Sequence, residues 1–401
     1  MAPLTILCLA SYKKGDDFLR QARREGARVL LLTSKSLEGA DWPREAIDQT
    51  YYIPDKNKEW QERDLIYGVS YMARSEPVDR IVALDDFDVE RAATLREHLR
   101  IPGMGETTAR YFRDKLAMRT RAAEAHISIP NFVHVLHDAR IRAFTERTPP
   151  PYVLKPRLQA GAIGIKIVTS VEQLWQLIEQ LGDERSFYLL ESFIRGDIFH
   201  VDTLVDDYEV RFAIASRYGT PPLEVSHQGR VFSTCNLPWE SPLARDVIAL
   251  NARLLRNLGL KHGASHSEFI CDEASGRFYF LETSARVGGA HIVDLVQAAT
   301  GLNLWAEWAR IECQPEGTSY APPEFRKGYA GLLVSLARQE WPDLAPYNDA
   351  EVVWRLKKKN HAGLIVASAS HHRVRELLEK LTQRFYADFF AAQPPRDKPM
   401  D

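Results

Sequence analysis

The chain has 401 residues, 45% of them apolar and 26% charged, the balance of a globular protein rather than a disordered or fibrous one. At roughly 150 residues per domain it is long enough for two or three domains. Lys and Arg total 52 against 54 Asp and Glu, a net charge of −2, which supplies no cationic field for nucleic acid or anionic lipid. Cys8, Cys235, Cys271 and Cys313 lie far apart with no CxxC pair, which excludes a disulfide scaffold or sulfur-rich zinc site and fits a reducing compartment. No apolar run reaches the roughly 18 residues that span a bilayer, and the opening Met1-Ala2-Pro3-Leu4-Thr5 lacks the basic flank of a signal peptide. The expectation is a soluble, cytoplasmic protein with no membrane or nucleic-acid partner.

The first hundred residues alternate strand-length apolar runs, at Leu4–Leu9, Val29–Thr33 and Arg80–Leu84, with helical patterns. Phe18, Leu19, Ala22 and Arg23 fall on helical spacing; so do Val89, Ala92, Ala93, Leu95 and Leu99 after the turn Asp85-Asp86. Strand–helix–strand order predicts a parallel sheet with right-handed crossovers. The turn Ser11–Gly15 has one glycine where a dinucleotide fingerprint has three, so no nucleotide site is expected there. A helix is predicted from about Glu106 to Ala125, and Thr148-Pro149-Pro150-Pro151 forces an extended connection. A compact unit follows: strand Tyr152–Lys155, a glycine-bearing loop, strand Ile165–Val168, helix Val171–Leu181 and strand Phe187–Glu191. From His200 β patterns dominate, interrupted by a helix at Pro242–Leu258, up to strands Ala264–Cys271 and Phe278–Glu282, with helices from Ala290 to Ile311. The last segment predicts strands Tyr329–Leu336, Val352–Leu356 and Leu364–Ser368 and a helix Arg373–Phe385; the Pro-rich, charged tail Gln393–Asp401 is expected to be disordered.

Two constellations can carry chemistry. In Tyr152–Val168 two apolar strands flank a loop with Gly161 and Gly164, and Lys155 ends the first strand. Backbone N–H groups of such a loop can approach phosphate oxygens, and the lysine adds a point charge for them. The bland alternative is a hairpin with a solvated lysine. In the second, Glu268 and Glu282 each sit among apolar strand residues, and the turn Glu273-Ala274-Ser275-Gly276 makes their strands a hairpin that brings them side by side. Two buried carboxylates are tolerable with a divalent cation between them; Mg²⁺ uses one or two carboxylates plus phosphate oxygens. Arg286, before Gly288-Gly289, can clamp a carboxylate or phosphate. The alternative is a pair of strand-end salt bridges. His266 and His291 read as hydrogen-bonded structural residues, with a substrate-facing role as the alternative and His266 a candidate acid or base; His361, His371 and His372 read as surface, Cys235 and Cys271 as buried thiols, and Trp305 and Trp308 as core.

These elements, in this order, resemble the ATP-grasp superfamily of ATP-dependent ligases over nearly the whole chain. Asp114-Lys115-Leu116 followed by Met118-Arg119 matches the place of the family's phosphate-contacting lysine, Lys155-Pro156 the Lys-Pro before the glycine loop, and Glu191-Ser192-Phe193-Ile194 the hinge. The resemblance implies that Ser192 and Ile194 pair with adenine through their backbones while Glu191 approaches its amino group. Gly196 through Val201-Asp202 continues the match, with Asp197 or His200 toward ribose; Glu268, Glu282 and Ser284 match the metal ligands, and Arg286 the motif's arginine. Two positions depart: the usual Asn is Ser284, a shorter neutral oxygen ligand, and Ile198 stands where an acidic ribose ligand is common. The implied fold is α/β, with α+β character in the ATP-grasp lobes. A parallel-sheet preATP-grasp domain (1–105) would precede a two-lobed, mostly antiparallel ATP-grasp domain (106–315, small lobe about 130–195, large lobe about 196–315). Residues 316–392 would complete the large lobe and 393–401 form the tail.

The implied activity is ligation of a carboxylate, by default an amino acid's, to an amine through an acyl phosphate, with ATP and Mg²⁺ (or Mn²⁺) as cofactors. Lys155 and Arg286 would be the catalytic residues, small molecules the partners, a homodimer an expected assembly, and the 157–164 loop a closing lid. The rivals are a biotin-carboxylase-like enzyme that activates bicarbonate and a non-catalytic nucleotide-binding scaffold.

Overall fold

The computed structural model describes residues 3–56, 59–159, 161, 163–228, 230–315 and 317–391, with only the backbone of 226–228. The tail expected to be disordered, 393–401, lies outside the described residues. At the N-terminus β1 (Thr5–Ala10), β2 (Arg28–Ser34) and β3 (Gln49–Ile53) run parallel. After a small ribbon of β4 (Asp55–Lys56) and β5 (Glu59–Trp60), β6 (Arg80–Ala83) joins to give the order β3-β2-β1-β6. Every residue of β1 is buried because helices cover both faces. Ile6, Cys8 and Ala10 pack with Phe18 and Leu19 of α1 (Asp16–Arg24). Leu7 and Leu9 pack with Leu65 and Val69 of α2 (Glu62–Met72) and Ala92 of α3 (Val89–Leu99).

The single helix expected over 106–125 is two, α4 (Glu106–Arg110) and α5 (Lys115–Glu124). Asp114 makes the break: its carboxylate accepts the Leu116 N–H at 2.9 Å, capping α5, and also accepts from Arg157 Nε at 2.9 Å. A side chain that caps a new helix start competes with continuation of the old one.

A second, antiparallel sheet follows in the order β7-β10-β8-β9, from β7 (Phe132–His134), β8 (Tyr152–Pro156), β9 (Lys166–Val168) and β10 (Tyr188–Ser192). Helices α6 (Asp138–Arg147) and α7 (Val171–Leu181) close its core around Ile141, Phe144, Leu174 and Ile178. The third sheet has eight strands, all antiparallel, ordered β15-β14-β11-β12-β13-β16-β18-β17. They are β11 (Gly196–Asp206), β12 (Glu209–Tyr218), β13 (Phe232–Asn236), β14 (His262–Asp272), β15 (Phe278–Ser284), β16 (Tyr329–Leu336), β17 (Val352–Arg355) and β18 (His361–Ser368). Strands from the last segment thus extend the sheet begun by β11 rather than forming one of their own.

Short α8 (Pro222–Gln228) precedes β13, and α9 (Pro242–Leu258) covers one face of the large sheet. The ends of α9 follow from sequence: Ser241 Oγ accepts the Ala244 N–H, Pro242 opens the first turn, and Gly259 leaves in the left-handed region at φ 88°. On the other face α10 (Ile292–Thr300) and α11 (Leu304–Glu312) lie between the large sheet and the N-terminal sheet. Phe18 of α1 meets Trp308 of α11 edge-on with ring centroids 5.2 Å apart, within one continuous apolar core. Helix α12 (His371–Asp388) packs on β16 and β18. No described helix is long and apolar enough to cross a membrane.

Candidate active site

A cavity of about 480 Å³ opens between the second and third sheets. On its floor Glu268 of β14 and Glu282 of β15 are direct cross-strand partners, with the register shifting just after Glu268. Their side chains therefore share a face. Glu282 accepts from Lys115 Nζ at 2.8 Å, and Glu268 accepts from the Tyr218 hydroxyl at 2.7 Å. Enclosure by protein pushes the Glu282 carboxyl up, but Lys115, with Lys155 behind it, more than offsets this and holds it below the usual carboxylate range. Two carboxylates side by side, with the Ser284 hydroxyl along the same strand, form an all-oxygen donor set, the chemistry a hard dication takes.

The lysines stand above these acids. Lys115, the first residue of α5, also donates to the Gln159 carbonyl at 2.5 Å, tying the loop after β8 to the floor. Lys155 lies on β8 and pairs with Glu191 on β10 at 2.6 Å, both side chains almost fully buried. Burial drags the Lys155 ammonium down to about 8, although Glu191 favours its charge. Gly161 lines the cavity with φ +68° and nothing within 4 Å of where a Cβ would stand. Gly164, at φ +72°, sits against Pro156 and does not line it. Residues 160 and 162 of the loop lie outside the described residues.

The hinge follows β10. Ser192 and Ile194 both line the cavity, whose walls here are apolar: Val153, Ile167, Ile198 and Leu281. The Ser192 N–H is spent on the Asn131 carbonyl at 2.8 Å, so that donor is not available to a ligand in the cavity. Two expected residues do not reach the cavity. Asp197 is exposed and paired with Arg217 at 2.7 Å. Residues three apart on a strand point to opposite faces, and His200 does lie on the cavity side of β11, but it is fully buried. Its Nδ1 bonds Asp202 at 2.7 Å and its Nε2 bonds Thr234 at 2.8 Å. The rings of Tyr218 and His266, which do line the cavity, pack against it with centroids 4.7 and 5.2 Å away.

His266 in turn shares Asp202, Nδ1 to Oδ1 at 2.8 Å. Burial lowers its pKa, but the Asp202 carboxylate prevails and raises it to about 9. His200, Asp202 and His266 bring metal-type ligand atoms within 4.8 Å of one another, yet each imidazole already spends a nitrogen on Asp202, so they form a hydrogen-bonded polar layer under the cavity. His291 is bonded to Asp294 at 2.9 Å. Arg286 lines the cavity; its Nη1 donates to the Val287 carbonyl at 2.7 Å, and its Nε is buried with no hydrogen-bond partner among the described residues.

Sequence reasoning gave three residues beside the cavity no role of their own. Arg119, matched only as part of the Met118-Arg119 step of the motif, is fully buried on α5 and lies 2.7 Å from the other oxygen of Glu191. Asp86 and Arg113 form a buried ion pair on the cavity wall. Burial raises the Asp86 carboxyl, but Arg113 and Arg286 outweigh it and keep it below its ordinary value. Its position carried a signal: it follows β6, at the carboxyl end of a parallel strand, where open α/β sheets gather ligands.

Opposed acids, enclosed lysines and an apolar slot thus meet in one cleft. A family model for the ATP-binding domain of the carbamoyl-phosphate synthase L chain matches residues 114–315, half of the chain. The L-arginine-specific L-amino acid ligase of Bacillus subtilis is 26% identical over 333 residues, covering 77% of this chain and 80% of that one. A crystal structure of an L-amino acid ligase from Bacillus licheniformis superposes with a TM-score of 0.76 at 18% identity, covering 98% of this chain and 100% of the other. The biotin carboxylase domain dimer of a Hydrogenobacter thermophilus 2-oxoglutarate carboxylase, with MgADP, ADP and bicarbonate, superposes at 0.68 with 17% identity, covering 94% and 88%. The chain belongs to the ATP-grasp superfamily. Within it the chain is an ATP-dependent carboxylate–amine ligase.

Proposed function

We propose that this ligase activates the carboxylate of one amino acid and joins it to the amine of a second, in the cytoplasm, using the cavity floor and wall as follows. Adenine enters the apolar slot at Ile194. Lys115, Lys155 and the loop at Gly161 hold the triphosphate. Glu268 and Glu282, with Ser284 beside them, would hold Mg²⁺ or Mn²⁺, which when bound neutralises phosphate charge. Arg286 orients the substrate carboxylate, one oxygen of which attacks the γ-phosphorus as the bond to the bridging oxygen breaks and ADP leaves. The amine then attacks the carbonyl carbon of the acyl phosphate, loses a proton, and phosphate departs with its C–O bonding pair. Position and charge supply most of the acceleration, because phosphoryl transfer asks little covalent chemistry of the protein. The apolar wall limits water, which would otherwise hydrolyse the acyl phosphate.

The observation that carries this reading is the direct opposition of Glu268 and Glu282 in a cavity that also holds two lysines and a partly unpartnered arginine. The test is ADP release across pairs of amino acids, with mass detection of the condensed product. ADP formation that needs both partners, with a product lighter than their sum by one water, supports it. ADP release that depends strictly on bicarbonate overturns it in favour of a carboxylase, and nucleotide binding with no ADP release overturns it in favour of a scaffold.

A further inference from the structure

The carboxyl end of β6 places one acid in the cavity wall that the ligase reading above leaves without a task. Asp86 is 5% exposed. One carboxylate oxygen, Oδ2, is held by Arg113, and the Ser284 hydroxyl lies close enough to hydrogen-bond the carboxylate and help hold its pKa down; Oδ1 itself makes no well-formed hydrogen bond among the described residues. A buried carboxylate oxygen without one is costly enough to demand an explanation. Arg286 has the complementary deficit: its Nε is likewise buried and unpartnered, and it lies close enough to Asp86 to stabilise its charge. An unused acceptor on an acid and an unused donor on a base thus share one wall without being hydrogen-bonded to each other.

We propose that Asp86 binds the α-ammonium of the amino acid whose carboxylate is activated, with Arg286 on that carboxylate, so that the pair forms a clamp for a zwitterion. The proposal rests on the ligase reading and narrows it. The carboxyl donor is an α-amino acid with a free, protonated amine, not a simple carboxylic acid, bicarbonate or an N-acylated amino acid. The clamp also keeps that ammonium from acting as the nucleophile, so the incoming amine comes from the second substrate and the product retains a free amino terminus.

The experiment compares, with the wild-type enzyme and a fixed amine partner, the amino acid that gives the fastest ADP release, its analogue with hydrogen in place of the α-amino group, and its N-acetyl derivative. A charge-assisted hydrogen bond is worth enough that either change should lower kcat/KM roughly 10- to 100-fold. Asp86→Asn should lower kcat/KM for the amino acid by more than for the desamino acid, so that the roughly 10- to 100-fold gap between the two closes; Asp86→Glu should reopen part of that gap. Equal use of the desamino acid by the wild-type enzyme overturns the clamp while leaving the ligase reading intact. ADP release with no carboxylate at all in the panel sinks both. A shift of the magnesium requirement in Asp86→Asn, with acid discrimination intact, overturns the clamp and makes Asp86 a cation ligand. Asp86→Asn leaves Arg113 without its buried partner, so should it fail to fold, the wild-type analogue series decides alone.

Discussion

Lys155 shows how a buried charge is both a cost and an instrument. Burial lowers its pKa to about 8 in the free protein, and a triphosphate beside it favours the charged form. Nucleotide binding above about pH 8 should therefore take up a proton, and ATP affinity should fall as the pH rises further. Calorimetry in buffers of different ionisation enthalpy reads the uptake, which should vanish in Lys155→Met together with most of the affinity. Affinity flat from pH 7 to 9.5 in the wild type contradicts the assignment. Glu282→Gln removes a carboxylate from the cation's oxygen set, and its effect on the magnesium midpoint of ATP turnover should be no smaller than the roughly tenfold that even outer-shell partners cost. A titration overlaying the parent's removes Glu282 from the metal set. Lys155 and Glu282 could be singled out in sequence as charges inside apolar strands, with a solvated lysine and strand-end salt bridges as the alternatives, and Glu282 does pair with Lys115. Asp86 carried only the signal of its position after β6: an acid in a turn is ordinary, and only the coordinates show it buried against Arg113. His200 was misjudged for the opposite reason, since its face of β11 was right but Tyr218 and His266 cover it.

The strands carry the site through register. Pairing of β11 with β14 sets His200 opposite Glu268 and Asp202 opposite His266, and β15 continues the rows with Glu282 and Ser284. A one-residue slip would turn every one of these side chains to the α9 face. Gly196, at the start of β11, guards the register: a Cβ there would stand 1.9 Å from the Cys271 carbonyl oxygen. Gly196→Ala should push β11 and β14 apart next to the hinge, lowering Tm and raising the KM for ATP more than it changes kcat. Wild-type values for both would mean the strands separate there at no cost. The hairpin and the hinge could be read from spacing and turn residues. The split between α4 and α5 could not, because it depends on Asp114 meeting Arg157, a residue 43 positions away in sequence.

At the scale of the molecule, the N-terminal sheet is bound to the large sheet through apolar packing. Phe18, Trp308 and the α10–α11 layer belong to one core with residues of β1, β11 and β16. Phe18→Ala should cost about 3–5 kcal/mol, as deletion of a buried aromatic ring typically does, and should do so in a single unfolding transition. Two separate transitions, with only the first shifted, would show that the sheets unfold independently. Hydrophobic period marked β1, β2, β6 and most later elements, but not β3, α2, β7 or α6. This joint was not legible, because the apolar face of α1 looks the same whether it meets its own sheet or another.

The same joint has a bearing on redesign. Asp86 is delivered by the N-terminal sheet, whereas Arg286, Glu282 and the lysines come from elsewhere in the chain. A chimera that borrows another enzyme's first hundred residues to alter acid preference would replace the acid proposed to hold the ammonium and all of the α1 surface in one cut. Such grafts will misfold unless the matching face of α11 travels with them, and the natural unit of exchange is that helix pair, not the leading segment alone.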